Sequence, residues 1–374
     1  MNRRQFLRTT LSAGAGVLFA PMINRGRYRL FADAGVEHSA RAVELVGRSL
    51  VIDMLGLLTL DWETLYGWQD TPQRFARADF LKLRATGVDV FHPAVDPSEP
   101  RPFDSCRDWV DGWNRLVAER PDAFVGVRRA ADLTRAKAAG KIGLVIGFQS
   151  SDHFRTADDV ALFHGLGQRI SQLTYNARNR LGCGCQESVD GGLSDFGAQV
   201  VAAMNRAGMA IDVSHCGDRT SLDAIAASRR PVLVTHANCR ALAPHPRCKP
   251  DEVIRRLAAG GGVMGITVVP AFVRQDRAAT LEDVLDHFAH VARLVGVEHV
   301  GLGSDADVDA VDPATGEVRP RYRVRGLRLA RRVFDLTAGL LRRGFSDAAI
   351  EAVLGGNFRR ALSAIWGENG EVTG

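Results

Sequence analysis

The chain has 374 residues, of which 46% are hydrophobic and 24% charged, and a formal net charge of +5. That length can bury one large core or two small ones, and the composition excludes a disordered or fibrous chain. Residues 1–34 hold six Arg and one Asp, which is the whole of the excess charge, so the remainder has no surplus of basic residues to draw it to nucleic acid or to an anionic membrane.

The first residues run Met1-Asn2-Arg3-Arg4-Gln5-Phe6-Leu7-Arg8, followed by an uncharged stretch from Thr9 to Ile23. This is the order of a twin-arginine export signal. The stretch is too short and too rich in Gly, Ala, Ser and Thr for a transmembrane span, and Ala32-Asp33-Ala34 offers a small-residue cleavage point. The expectation is a signal over residues 1–34, a single domain over residues 35–374, and export of the folded protein to the periplasm or another extracytoplasmic compartment. Membrane attachment would then come only from an uncleaved signal.

Beyond the signal, short β-branched runs alternate with longer segments of helical period. The runs are Leu50 to Met54, Val88 to Val95, Ile142 to Gln149, Ile170 to Asn176, Ala210 to His215, Val232 to His236, Val263 to Val269 and Val300 to Asp305. Most are nearly continuously apolar, as strands covered on both faces should be. One intervening helix is bracketed by Ser194-Asp195 at its start and Gly208 at its end. Eight βα units closing on themselves predict an α/β fold of the (β/α)8 TIM-barrel type. An open doubly wound sheet is the competitor, but no Gly-x-Gly-x-x-Gly follows a strand.

Polar residues close several runs: Asp53, His92, Gln149, Asn176, His215, His236 and Asp305. In a barrel these ends converge on the face that carries the active site. His215 and His236 end adjacent strands at the same height, which is metal-ligand geometry. Asp305 ends the last strand, where it could ligate metal, shuttle a proton or simply cap a loop. Arg247, in the loop after His236, could hold a substrate carboxylate through a bidentate pair.

Asp61 to Gln69 could wall a pocket with aromatic rings or pack as a helix; both stay open. His287 and His290 are expected on the outer surface of a helix. The six cysteines are too few and too scattered for a disulfide scaffold, although one or two bridges are allowed, and Cys183-Gly184-Cys185 reads as loop cysteines.

Six segments together resemble the membrane (renal) dipeptidase family in order and spacing. They are Gly192-Leu193-Ser194-Asp195-Phe196-Gly197, Ile211-Asp212-Val213-Ser214-His215, Val234-Thr235-His236-Ala237-Asn238, Arg247 to Asp251, Gly301-Leu302-Gly303-Ser304-Asp305-Ala306-Asp307, and Gly355-Gly356-Asn357 with Arg360. The resemblance runs from about residue 45 to about residue 366. It implies a metallo-dependent hydrolase barrel with two zinc ions bridged by a glutamate and a water, cleaving dipeptides. It also implies second-metal ligands at His215 and His236, a substrate arginine at Arg247 and an acid–base carboxylate at Asp305, with a homodimer as the family's assembly.

The chain departs from that pattern where the first metal should sit. Asp53-Met54-Leu55-Gly56-Leu57 stands where the family has Asp-Gly-His-x-Asp, so Leu55 and Leu57 replace two ligands. Gln149 stands at the bridging glutamate, and Tyr175 at the histidine that meets the substrate carbonyl, where its hydroxyl can still donate. One zinc rather than two is therefore expected, on His215 and His236 with Asp305 as a third candidate, and Asp53 or His92 could compensate for what is missing. The reading is a metallodipeptidase-type hydrolase acting on a dipeptide or related small amide through a zinc-activated water. The alternatives are a mononuclear hydrolase or modifying enzyme acting on a peptide-derived metabolite, and a non-catalytic barrel that binds a small peptide.

Overall fold

The structure, a computed structural model, describes residues 38–96, 100–312 and 314–367, together with the backbone of residues 27–28. The expected export signal lies outside the described residues apart from Arg27–Tyr28, which pair antiparallel with His38–Ser39. Among the described residues no helix is long and apolar enough to cross a membrane.

The strands are β1 (Ile52–Asp53), β2 (Val90–Phe91), β3 (Ala94–Val95), β4 (Phe124–Gly126), β5 (Ile142–Leu144), β6 (Gly147–Phe148), β7 (Ile170–Gln172), β8 (Ala210–Asp212), β9 (Leu233–Ala237), β10 (Val263–Ile266) and β11 (Val300–Leu302). All pair in parallel, β1 with β2, β2 with β5, β3 with β6 and then β6 through β11 in sequence. The ring closes where Met54 N donates to Leu302 O at 3.0 Å and Gly56 bridges Ala306. This is the (β/α)8 barrel that the eight apolar runs predict.

Two of those runs are interrupted. Val88 to Val95 splits into β2 and β3 at His92-Pro93, where proline has no N–H for the ladder, and Ile142 to Gln149 splits into β5 and β6. The lower half of the latter pairs with β4, a strand the sequence pattern does not announce.

The bottom of the barrel is sealed by the C-terminal helix Asn357–Trp366. Its Phe358, Leu362, Ile365 and Trp366 pack with Ile52, Val90, Ile170, Ala210, Leu233 and Val263, all buried. Phe358 lies so close to β11 that a Cβ on Gly301 would come within 2.5 Å of its ring, so only glycine fits there. With that end plugged, the opposite strand ends are the open face. Around the barrel, the helix Asp195–Ala207 starts at Ser194, whose Oγ accepts from Gly197 N at 2.9 Å, and ends at left-handed Gly208, as expected.

None of the six cysteines is disulfide-bonded, and all are buried. They serve as small, largely apolar fillers. His287 departs from its expected place on the helix surface: it is fully buried, its Nδ1 accepts from Cys239 N at 3.1 Å and its Nε2 lies 3.0 Å from Val273 O. His290 is half-buried and pairs with Asp251 at 2.8 Å.

Candidate active site

A cleft of about 810 Å³ opens over the C-terminal strand ends. Gln149, Tyr175, His215, Arg247, Asp305 and Leu57 all line it, so the structure brings together most of the residues that the sequence singles out. Trp62 and Tyr66 line it as well, whereas Trp68 is buried in the core, so the Asp61 to Gln69 segment both walls the cleft and packs as a helix.

The histidine pair is held by a defined proton inventory. Asp212, at the end of β8, accepts from Ser214 N at 3.0 Å, Ser214 Oγ at 2.5 Å, Thr235 N at 2.9 Å and Thr235 Oγ1 at 2.6 Å. The hydroxyl proton of Thr235 is thus committed to a carboxylate. His236 Nδ1, 2.8 Å from Thr235 Oγ1, must therefore be the donor in that pair. On the other ring, Nδ1 of His215 donates to Asn176 Oδ1 at 2.7 Å. These tautomers follow from the partners.

Both imidazoles therefore present bare Nε2 lone pairs, and the two Nε2 atoms face each other at 3.0 Å. Two lone pairs at this distance repel one another unless a proton or a cation bridges them. Burial, and after it the nearby Arg247 charge, hold both rings well below the ordinary histidine range, which disfavours the proton. Tyr175 stacks on His215 with ring centroids 4.2 Å apart. Its hydroxyl is pushed up by burial, so it remains a donor.

Asp305 follows β11 in a left-handed conformation, φ 57°, tied by its N–H to Leu55 O at 2.8 Å. Asn176, which orients His215, is also left-handed at φ 55°. Asp and Asn tolerate this region better than other non-glycine residues, and such conformations concentrate at functional sites. Asp305 is partly exposed and lines the cleft. Burial raises its pKa from 3.8 to about 6, against the opposing pull of Arg247 and Arg321.

Arg247 is only 2% exposed. Its Nη1 donates to Ser214 O at 2.7 Å and its Nη2 to His236 O at 2.6 Å, so it clasps the backbone beside both histidines. Gln149 donates from Nε2 to Ala94 O at 3.0 Å, and its main-chain carbonyl accepts from Gln172 Nε2. Leu55 is buried beneath the cleft.

Neither candidate for compensation reaches the pair as a free ligand. Asp53 is fully buried in an ion pair with Arg332 at 2.9 Å. His92 is buried with Nδ1 2.7 Å from Met54 O and its Nε2 without a partner. Among the described residues no set of three His, Cys, Asp or Glu side chains gathers as a metal site, so Asp305 does not complete a triad with the histidines. The family's bridged two-zinc centre does not fit these residues, because leucines and an amide occupy the positions of its carboxylates and imidazole. A single cation on the two Nε2 lone pairs does fit.

Sequence reasoning passed over Arg319, Arg321 and Tyr322, which line the cleft from the loop after β11. The signal available was the density of arginines in Arg319-Pro320-Arg321-Tyr322-Arg323 on the active face of a barrel. It also passed over His245 and Phe272, which line the same cleft.

The family model for membrane dipeptidases, peptidase family M19, matches residues 39–369. The chain is similar to dipeptidase aclJ of Aspergillus oryzae, 32% identical over 316 residues that make up 82% of this chain and 72% of that one. It is also similar to the crystal structure of an amidohydrolase from Pseudomonas aeruginosa, at 30% identity and a TM-score of 0.74, covering 87% of this chain and 99% of that one. A metallopeptidase of Rhodobacter sphaeroides, solved with a phosphinate mimic of the dipeptide L-Ala-D-Ala, shares the fold at 21% identity and a TM-score of 0.70, over 84% of this chain and 99% of that one. The barrel, the ordered motifs and these matches agree that the chain belongs to the membrane dipeptidase family of metallopeptidases, peptidase family M19.

Proposed function

We propose that this chain hydrolyses a dipeptide or related small amide bearing a carboxylate, with a single zinc ion held by His215 and His236. The observation that carries the reading is the pair of converging Nε2 lone pairs at 3.0 Å, one of them on His215, which lines the same cleft as a carboxylate whose pKa is raised to about 6. Two nitrogens bound to one tetrahedral zinc are separated by about 3.3 Å, close to the distance seen. Bound there, zinc supplies acidification of water and positive charge near the scissile carbonyl.

Asp305 is the acid–base group. A carboxyl titrating near 6 is matched to taking a proton from the attacking water and returning it to the leaving amine. Tyr175 donates a hydrogen bond from its hydroxyl, and Trp62 and Tyr66 provide an apolar wall that keeps bulk water from the amide. The twin-arginine order at Arg3-Arg4 supports action outside the cytoplasm.

Elemental analysis of the purified chain tests the metal. The expected result is about one zinc per chain, falling to a trace in His215→Ala and His236→Ala. Two zinc ions would mean that other residues replace the missing ligands. No zinc, with the two variants no different from the parent, would favour a barrel that binds a peptide without cleaving it.

Asn176→Ala removes the partner of His215 Nδ1 and frees its tautomer. Zinc affinity is expected to fall by about 10- to 100-fold, read by competition with a chelating dye. An unchanged affinity would show that Asn176 does not set the ring.

A further inference from the structure

Toward the closed end of the barrel lies a second cavity of about 770 Å³, and none of the residues that line it belongs to the cleft. Arg169 lines it from the start of β7, next to Ile170, which packs with the C-terminal helix. Arg128 reaches it from the turn after β4, and Asn114 from the helix Pro102–Glu119. Arg129 and Arg135 come from the cap and the body of the helix Ala130–Ala138.

Arg169 is only 7% exposed. Its Nε donates to Arg128 O at 2.7 Å, and its Nη1 donates to His164 O and Gln168 O at 2.8 Å each. Those bonds fix the guanidinium but leave both N–H groups of Nη2 without an acceptor among the described residues. Arg128 is exposed, and its Nη2 donates to the neutral amide oxygen of Asn114 at 3.2 Å.

No carboxylate compensates these two charges at close range. Asp132 is the one acid among the lining residues. It is taken by Arg129 at 3.4 Å, by Arg135 at 3.1 Å and by the main-chain N–H of Arg128 at 2.9 Å. Among the described residues neither Arg128 nor Arg169 forms an ion pair within 4.0 Å. The field is accordingly positive: burial and then the Arg128 charge bring Arg169 down to about 10, and burial followed by both arginines pushes His164 down to about 4.

We propose that this cavity binds the dianionic phosphate of a phosphomonoester, held by Nη2 of Arg169 and the guanidinium of Arg128. Four guanidiniums face one carboxylate here, so a single carboxylate ligand would leave charge unmatched, whereas a phosphomonoester brings about two negative charges at neutral pH. The donors come from separate elements, which suits a tetrahedral anion approached from several sides. Val117 and Ala118 give the cavity an apolar side for the organic part of the ester. The site stands apart from the cleft and from the reaction proposed there.

Calorimetric titration of the full chain with inorganic phosphate, phenyl phosphate and acetate at fixed ionic strength tests the site. Both phosphates are expected to bind, and acetate to bind at least about tenfold more weakly. Arg128→Ala, at an exposed position, and Arg169→Gln should each weaken phosphate binding by about tenfold or more, with circular dichroism to establish that the variants are folded. Should Arg169→Gln fail to fold, Arg128→Ala decides alone. Phosphate held by the cleft instead would be insensitive to either substitution. Binding that survives in the folded variants therefore overturns the proposal, as does a parent chain that takes phosphate no better than acetate.

Flotation with vesicles of four parts phosphatidylcholine to one part phosphatidic acid separates two sources of the same group. Flotation that is lost in Arg128→Ala identifies the phosphate as a lipid headgroup. Binding of phenyl phosphate through Arg128, without flotation that depends on that residue, identifies it as a soluble ester.

Discussion

Asp305→Asn is expected to abolish turnover and, at the same time, to stabilise the fold. Removing a general acid–base group costs about 10²- to 10⁴-fold in rate, and here no other carboxylate on the cleft lining is free to substitute. The stability effect follows from the sign of the shift. Burial raises the native pKa from 3.8 to about 6, so the folded chain holds this proton where the unfolded chain has lost it. The contribution of the protonated group is present in full below about pH 4 and disappears as the pH rises through about 6.

Asparagine mimics the protonated form at every pH. The variant should come close to the parent near pH 4 and exceed it at pH 8 by up to about 3 kcal/mol. Urea denaturation across that range measures the difference. The parent's pH–rate profile should show its acidic limb near pH 6, where Asp305 becomes able to accept a proton. A variant that keeps the parent's kcat would place the acid–base group elsewhere, and a stability gain that did not depend on pH would show that the carboxylate is not strained by its burial.

The barrel was legible because parallel strands buried on both faces leave continuous apolar runs, and each run here is followed by a helical segment. The site was legible for a related reason. Barrel geometry sends every strand end to one face, so a polar residue closing an apolar run carries positional meaning. His215, His236 and Asp305 stand out on that ground alone.

Side-chain partners were not legible. His287 lies on a helix around the barrel, yet reaches inward to Cys239 and Val273, because the direction of one side chain depends on the loop packed over it. Asn176 was visible as a polar strand end, but its hold on His215 depends on a left-handed turn that no periodicity announces. The loop after β11 has neither period, and its arginines read as solvated surface until the fold places Arg319 and Arg321 over the cleft.

Asp53 has the widest gap between sequence and structure, and it supplies the largest expected loss of stability. As a polar strand end beside two missing ligands, it is a natural candidate to bind metal in their place. Its oxygens are taken instead: Oδ1 accepts from Ser304 N at 2.7 Å, and Oδ2 accepts from Ser304 Oγ at 2.6 Å and from Arg332 Nε and Nη2 at 3.1 and 2.9 Å. Neither side chain of the ion pair is exposed, and Arg332 also donates to the carbonyls of Asp307 and Leu329 at 2.9 Å each. The pair therefore ties β1 to the residues after β11, where the barrel closes and Asp305 is placed.

Asp53→Ala leaves a guanidinium buried without an anion and should cost about 3–5 kcal/mol. Asp53→Leu with Arg332→Met removes both charges and should recover much of that loss, because no uncompensated ion remains. Urea midpoints of the single and double variants measure both effects. If Asp53 were instead a metal ligand, the single variant would lose zinc, the double variant would not regain it, and stability in the presence of a chelator would scarcely differ among the three chains. The closed ion pair predicts the opposite order, with stability following the charge on Arg332 rather than the metal.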